Sequence, residues 1–228
     1  MKHIILLRHG QSEWNLENRF TGWTDVDLTG QGRAEARQAG EKIKSAGISP
    51  RFYFTSYQKR AIHTLQIAAA AMNLDWVPVI KDWHLNERHY GALQGLDKSA
   101  TAREYGDRQV HLWRRSYDIA PPLLDPDDDR SPTHDPRYVG IPAESMPLGE
   151  SLKDTVERVR PCWEEVIAPR TIIYDTILIA AHGNSLRALA MMLLHLSPDD
   201  IVDVEIPTGQ PWLFSLDDRL RVTGDRYL

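Results

Sequence analysis

Two uninterrupted apolar runs, "IILL" at 4–7 and "ILIAA" at 177–181, each lead into a His-Gly pair, the first by way of Arg8. Such a run has no polar side to turn toward water. As a strand it must be covered on both faces, the situation of a parallel sheet held between two helical layers. The rest of the chain fits that frame. Strands are predicted over 3–7, 51–55, 76–80 and 176–181, with a closing hairpin from 212–216 and 220–224. Helices alternate with them. One covers 30–46, capped by Thr29, with Ala36, Ala39, Gly40 and Ile43 on one face and Gly47 as its stop. Another covers 57–73 behind a Ser56 cap. A third covers 151–168, opened by Ser151 and Asp154 at capping-box spacing and expected to kink or break at Pro161. A fourth runs through 184–196. Together these predict one domain over 1–228: a three-layer α/β/α sandwich, mostly parallel, with helices on both faces. Residues 91–150 are the exception. Seven of the fourteen prolines fall between 121 and 147, so this stretch is expected to leave the sheet as an irregular excursion, with short helices near 99–116.

Several function classes are disfavoured. No apolar run approaches the ~20 residues of a membrane span, and the N-terminus reads as a first strand, not a signal peptide. The single cysteine, Cys162, excludes an internal disulfide, suits a reducing cytoplasm and reads as a packing group. A net charge of −5 makes nucleic acid a poor partner. An anion would have to be held by a local cluster of cations. The acidic run at 125–129 contains a proline and reads as solvated loop. No metal-ligand spacing stands out elsewhere, so no metal is expected.

In an open α/β sheet, ligands bind at the carboxyl ends of strands. Both His-Gly pairs sit at such ends. Adjacent strands would present His9 and His182 to one crevice, with Gly10 and Gly183 allowing sharp turns and close approach. Arg8 precedes His9, Arg60 lies one turn into the helix after the second strand, and "ERHYG" at 87–91 follows the third. Arginine grips phosphate bidentately, and helix N-termini add N–H donors. A phosphate-handling site follows, with no reaction fixed. Alone, either histidine reads equally well as a hydrogen-bonded strand end, and Lys98, Arg114 and Arg115 as solvated charges.

The motifs "RHGQSEWN" (8–15), "NRFTGW" (18–23), "RAIHT" (60–64), "LNERHYGALQGL" (85–96), "WRRSYD" (113–118), "HDPRY" (134–138) and "AAHGNSLRAL" (180–189) span nearly the whole chain. In them the sequence resembles the 2,3-bisphosphoglycerate-dependent phosphoglycerate mutases of the histidine phosphatase superfamily. The resemblance implies that His9 is the nucleophile and becomes phosphohistidine. Arg8, Arg60 and His182 would clamp the phosphoryl group, and Glu87 would be the general acid and base. Ser12, Asn15, Thr21, Gly22, Arg88, Tyr90, Lys98, Arg114, Arg115, Gly183 and Asn184 match positions that bind the substrate. It further implies 3-phosphoglycerate and 2-phosphoglycerate as substrates, 2,3-bisphosphoglycerate as primer, no metal, and a homodimer or homotetramer. The physics suits these roles. Two guanidinium groups keep His9 neutral and nucleophilic, and a nearby dianionic phosphate disfavours ionisation of Glu87, which fits it to donate a proton. The basic segment 88–115 would cover the crevice and exclude water. His63, His84, His89, His111, His134 and His195 receive no role. Many members of the family carry a flexible lysine-rich tail after the last hairpin. This sequence ends at Tyr227-Leu228, so looser closure and some phosphatase leakage are expected. A phosphatase using the same His9 intermediate is the alternative activity.

Overall fold

The computed structural model describes residues 2–228. β1 (Lys2–Arg8) runs parallel to β4 (Thr176–Ala181), in register from His3 with Thr176 to Arg8 with Ala181. β2 (Phe52–Thr55) lies parallel on the other side of β4, and β3 (Val79–Lys81) lies parallel beyond β2. On the opposite flank, β5 (Pro211–Leu216) pairs antiparallel with β1, and β6 (Val222–Tyr227) antiparallel with β5. The sheet order is β3-β2-β4-β1-β5-β6. The carboxyl ends of β1 and β4 are therefore neighbours, although most of the chain lies between them.

The apolar runs are explained by two cores. Side chains alternate along a strand. Ile4, Leu6, Phe54, Ile177 and Ile179 face one core, covered by α6 (Leu152–Pro161) and α8 (Gly183–Leu194). Ile5, Leu7, Tyr53, Leu178 and Ala180 face the other, covered by α2 (Gly30–Ser45) and α3 (Lys59–Met72). The sheet thus sits between two helical layers, as the sequence predicts. Thr29 caps α2 through its hydroxyl, which accepts from the Gly32 amide.

Four elements depart from expectation. β6 covers Val222–Tyr227 in place of 220–224, because Leu220 takes a left-handed turn conformation ahead of the pairing. β3 covers Val79–Lys81 in place of 76–80, because Pro78 has no N–H to give a ladder and only lends its carbonyl to the Tyr53 amide, so pairing starts one residue later. α3 begins at Lys59, and its N-cap is Gln58; Ser56 is not the cap, and its hydroxyl is engaged elsewhere. Pro161 does not break its helix. α6 runs through it into a π-helical turn, Cys162–Ile167, and on into α7 (Ala168–Tyr174). A proline cannot donate the usual bond, and widening the next turn absorbs the missing donor.

Between Leu93 and β4 the chain leaves the sheet. α4 (Lys98–Tyr105), capped by Asp97, and α5 (Asp107–Arg115) carry basic side chains back over the crevice. From 116 to 150 the described residues form short 3₁₀ turns at Pro132–His134, Pro136–Tyr138 and Ala143–Ser145, the first two opening on a proline. Among the described residues no helix is long and apolar enough to cross a membrane.

Candidate active site

The chain leaves β1 at His9 and β4 at His182, and the two imidazole centroids are 5.0 Å apart. Both rings are buried. Gly10 is demanded by packing: a Cβ there would lie 2.2 Å from the Gly32 carbonyl in the first turn of α2. His9 Nδ1 is 2.7 Å from the Gly10 carbonyl. A carbonyl only accepts, so Nδ1 carries the proton and Nε2 keeps its lone pair. Burial, then Arg60 and Arg8, hold the His9 pKa well below the ordinary imidazole value. The two guanidinium groups act in the expected direction, and desolvation is the larger cause.

His182 is held differently. Its Nε2 lies 2.8 Å from the Ser56 hydroxyl, which also accepts from the Gln58 amide. Burial, followed by Arg60 and His9, depresses its pKa strongly. The serine read as a helix cap is thus the anchor of the second histidine. Arg8 donates to the Ile206 carbonyl at 2.8 Å. Arg60 donates to the carbonyls of Thr24 at 2.9 Å and Gly22 at 2.8 Å. Burial lowers its pKa to about 10, opposed by Glu87. Arg8 Nε, Arg60 Nε and His182 Nδ1 are buried without a protein partner. Unpaired buried polar atoms are costly, and three in one cluster of strand ends suit an anion.

Glu87 lies across this cluster. Its Oε1 accepts from the Arg88 amide at 2.8 Å, the Asn184 amide at 3.1 Å and Asn184 Nδ2 at 3.0 Å. Its Oε2 lies 3.8 Å from where a Cβ on Gly183 would stand, beside the Arg8 guanidinium. With three donors crowding Oε1, a proton on this carboxyl belongs on Oε2. Gln58 Oε1 accepts from the Glu87 amide at 3.0 Å and from Arg60 at 3.2 Å, so one side chain ties acid and clamp together.

These groups open on a cavity of about 390 Å³. Of the residues picked from sequence, Arg8, His9, Asn15, Thr21, Gly22, Arg60, Glu87, Tyr90, Lys98, Arg114, Arg115, Gly183 and Asn184 line it. Ser12 and Arg88 stand behind the wall, and His182, which is also outside the lining, packs against the His9 ring. Ser12 caps α1 (Glu13–Leu16), the turn that carries Asn15. Arg88 donates to the Tyr90 hydroxyl at 3.0 Å and the Arg114 carbonyl at 2.9 Å. Burial pushes the Tyr90 phenol up, but the Arg88 charge and hydrogen bond bring it below its ordinary value. Burial lowers the Lys98 pKa; Tyr90 opposes the shift, and Arg114 adds to it.

Sequence reasoning missed two lining cations, Arg19 and Arg187. Arg187 stands among apolar residues in "SLRALAMMLL", a charge on an otherwise buried helix, and that was the available signal. It donates to Asn184 Oδ1 at 3.2 Å and to the Ile201 carbonyl, and burial takes its pKa to about 10. Arg8, Arg19, Arg60, Lys98, Arg114, Arg115 and Arg187 face only Glu87 and Glu205 in the lining. Glu205 is paired with Arg115 at the mouth. The pocket is strongly cationic in a chain of net charge −5.

The buried histidines make stability pH-dependent. His89, like His9 and His182, is held neutral, its pKa lowered by burial and then by Arg158, to about 3. Each folded pKa lies below its unfolded value of about 6.5, so the stabilisation is complete above that pH and is lost as pH falls below it. Each group adds a slope of up to about 1.4 kcal/mol per pH unit. The urea midpoint is expected to drop steadily from pH 7 to pH 5. A midpoint unchanged over that interval contradicts neutral burial.

The family model of the histidine phosphatase superfamily (branch 1) matches residues 4–219. The chain belongs to this superfamily. Within it, a 2,3-bisphosphoglycerate-dependent phosphoglycerate mutase from Parabacteroides distasonis is 54% identical over 228 residues, covering 100% of this chain and 92% of that protein. A relative of the same name from Pasteurella multocida is 54% identical over 225 residues, covering 99% of each. Among solved structures, a mycobacterial glucosyl-3-phosphoglycerate phosphatase aligns with a TM-score of 0.74 at 23% identity, covering 100% of this chain and 97% of that one. The α-ribazole phosphatase of Shigella flexneri aligns with a TM-score of 0.71 at 19% identity, covering 99% and 95%. These last two support the fold.

Proposed function

We propose that this chain interconverts 3-phosphoglycerate and 2-phosphoglycerate through a phosphorylated His9, with 2,3-bisphosphoglycerate as primer. The observation that carries the reading is the convergence of an unprotonated His9 Nε2, two guanidinium groups and the free oxygen of Glu87 on one cavity, whose outer wall adds Lys98, Arg114 and Arg115. Relatives 51–54% identical over essentially the whole chain carry the mutase name.

His9 Nε2 takes its first phosphoryl group from 2,3-bisphosphoglycerate. Arg8, Arg60 and His182 meet the charge that spreads over the equatorial oxygens during transfer. The cations of the outer wall hold the carboxylate and the second phosphate. In the forward direction the 2-hydroxyl of 3-phosphoglycerate attacks phospho-His9. The N–P bond breaks, its electron pair returns to Nε2, and the hydroxyl proton passes to Glu87 Oε2. His9 then attacks the phosphorus at the other position of the bound bisphosphoglycerate. Glu87 returns its proton to the departing oxygen, and 2-phosphoglycerate leaves. Protons balance over the cycle, and each acid–base step is worth roughly 10²- to 10⁴-fold in rate.

A coupled assay tests the reading. 3-Phosphoglycerate with trace 2,3-bisphosphoglycerate is expected to yield 2-phosphoglycerate, with activity lost when the primer is omitted from unphosphorylated protein. Release of inorganic phosphate without 2-phosphoglycerate would identify a phosphatase.

A further inference from the structure

Glu87 sits in a stretch, 86–90, that belongs to no helix or strand. Its position cannot come from a backbone ladder, and every buried N–H and C=O there needs another partner. The partners are side chains. Arg158, on α6, extends one arm to the His84 carbonyl at 2.6 Å and the other to the carbonyls of Asn86 at 3.3 Å and Glu87 at 3.2 Å. Trp23 donates its indole N–H to the same Glu87 carbonyl.

Arg158 is itself locked. Its Nε and Nη2 donate to the two oxygens of Glu150 at 2.6 and 3.0 Å, a bidentate pair. The free side of Glu150 Oε2 accepts the His89 amide at 2.8 Å, and the Glu150 amide donates to the His89 carbonyl at 2.9 Å. The pair therefore grips the chain on both sides of Glu87. Its side chains are 6% and 4% exposed. Desolvating two charges to this degree is a poor route to stability, since apolar groups of similar volume often do as well. Neither residue lines the catalytic cavity. On the opposite side, Gln58 takes the Glu87 amide. Glu87 is thereby suspended between the helical layers on the two faces of the sheet.

We propose that Arg158, oriented by Glu150, is a positioning residue for proton transfer: it fixes the peptide of Glu87 so that Oε2 stands over the phosphoryl site. It touches no substrate. This rests on the mutase reading, in which Glu87 moves the proton to and from the glycerate oxygen.

The test uses leaving groups. A glycerate oxygen needs a proton as it departs; the phenolate of an activated aryl phosphate does not. In Arg158→Lys, which keeps the charge but not the fork, kcat on 3-phosphoglycerate is expected to fall by about 100-fold, the scale of an ångström-sized misplacement. KM should stay within about threefold, because the phosphate and carboxylate contacts are intact. Phosphorylation of His9 by the aryl phosphate should fall by less than about threefold, since that step draws little on acid catalysis. In a Glu87→Gln background, Arg158→Lys should add nothing, as two residues acting through one group do not sum. Equal losses on both phosphate donors, or a further loss in that background, would overturn the proposal in favour of a role in the fold alone. Glu150→Gln, and Glu150→Gln with Arg158→Gln, which leaves no lone buried charge, give the same readout if the lysine variant does not fold. Failure of all three to fold also overturns it. Wild-type protein without mutase turnover sinks the underlying reading; wild-type turnover with an unaffected Arg158→Lys sinks this one.

Discussion

His9→Gln is expected to lose mutase turnover by about 10⁴-fold or more, the scale on which removal of a covalent nucleophile is felt. Glutamine fills most of the imidazole volume, but the lone pair of its amide nitrogen is delocalised into the carbonyl and cannot form the N–P bond. The anion site outlasts the change. Arg8, Arg60 and His182 are held by the carbonyls of Ile206, Thr24 and Gly22 and by Ser56, none of which depends on His9. Binding of 3-phosphoglycerate should therefore survive within a few-fold while chemistry stops. Incubation with labelled 2,3-bisphosphoglycerate checks this directly: acid-labile label accumulates on the wild-type protein and not on the variant. Label on the variant at wild-type level would place the nucleophile elsewhere.

Glu87→Gln should lower kcat by about 10²- to 10⁴-fold with little change in KM. The amide oxygen can still accept from Asn184 and from the Arg88 amide, so the side chain keeps its place. The group facing the cavity becomes an NH₂, which can neither take the hydroxyl proton nor return it. Steady-state kinetics in both directions check this. A glutamine variant within about threefold of wild type would remove Glu87 from the chemistry.

The sheet was legible because its central strands are covered on both faces, which leaves an uninterrupted apolar signature at 4–7 and 177–181. The cavity was legible because strand ends in such sheets collect ligands, and the His-Gly pairs mark two of those ends. What lay behind the wall was not. A serine before a helix looks like a cap, and nothing local says that Ser56 has turned to His182. Ser12 and Arg88 share motifs with lining residues, yet spacing cannot tell a side chain that faces the cavity from one that props its neighbour. Arg158 and Glu150 carry no local mark at all; they meet Glu87 only through tertiary packing. Pro161 was read by the rule for α-helices, which takes no account of a π turn that absorbs a missing donor.

The pairing of β1 with β4 has a consequence for biogenesis. The first strand leaves the ribosome long before either of its sheet neighbours, since β4 follows about 170 residues later and β5 later still. Until then a nascent chain carries a sticky apolar ribbon with both edges bare, open to the wrong partner. No translation product that ends before residue 182 contains both imidazoles. Chemical competence should therefore switch on late and all at once, and truncated products should be inert and prone to aggregate.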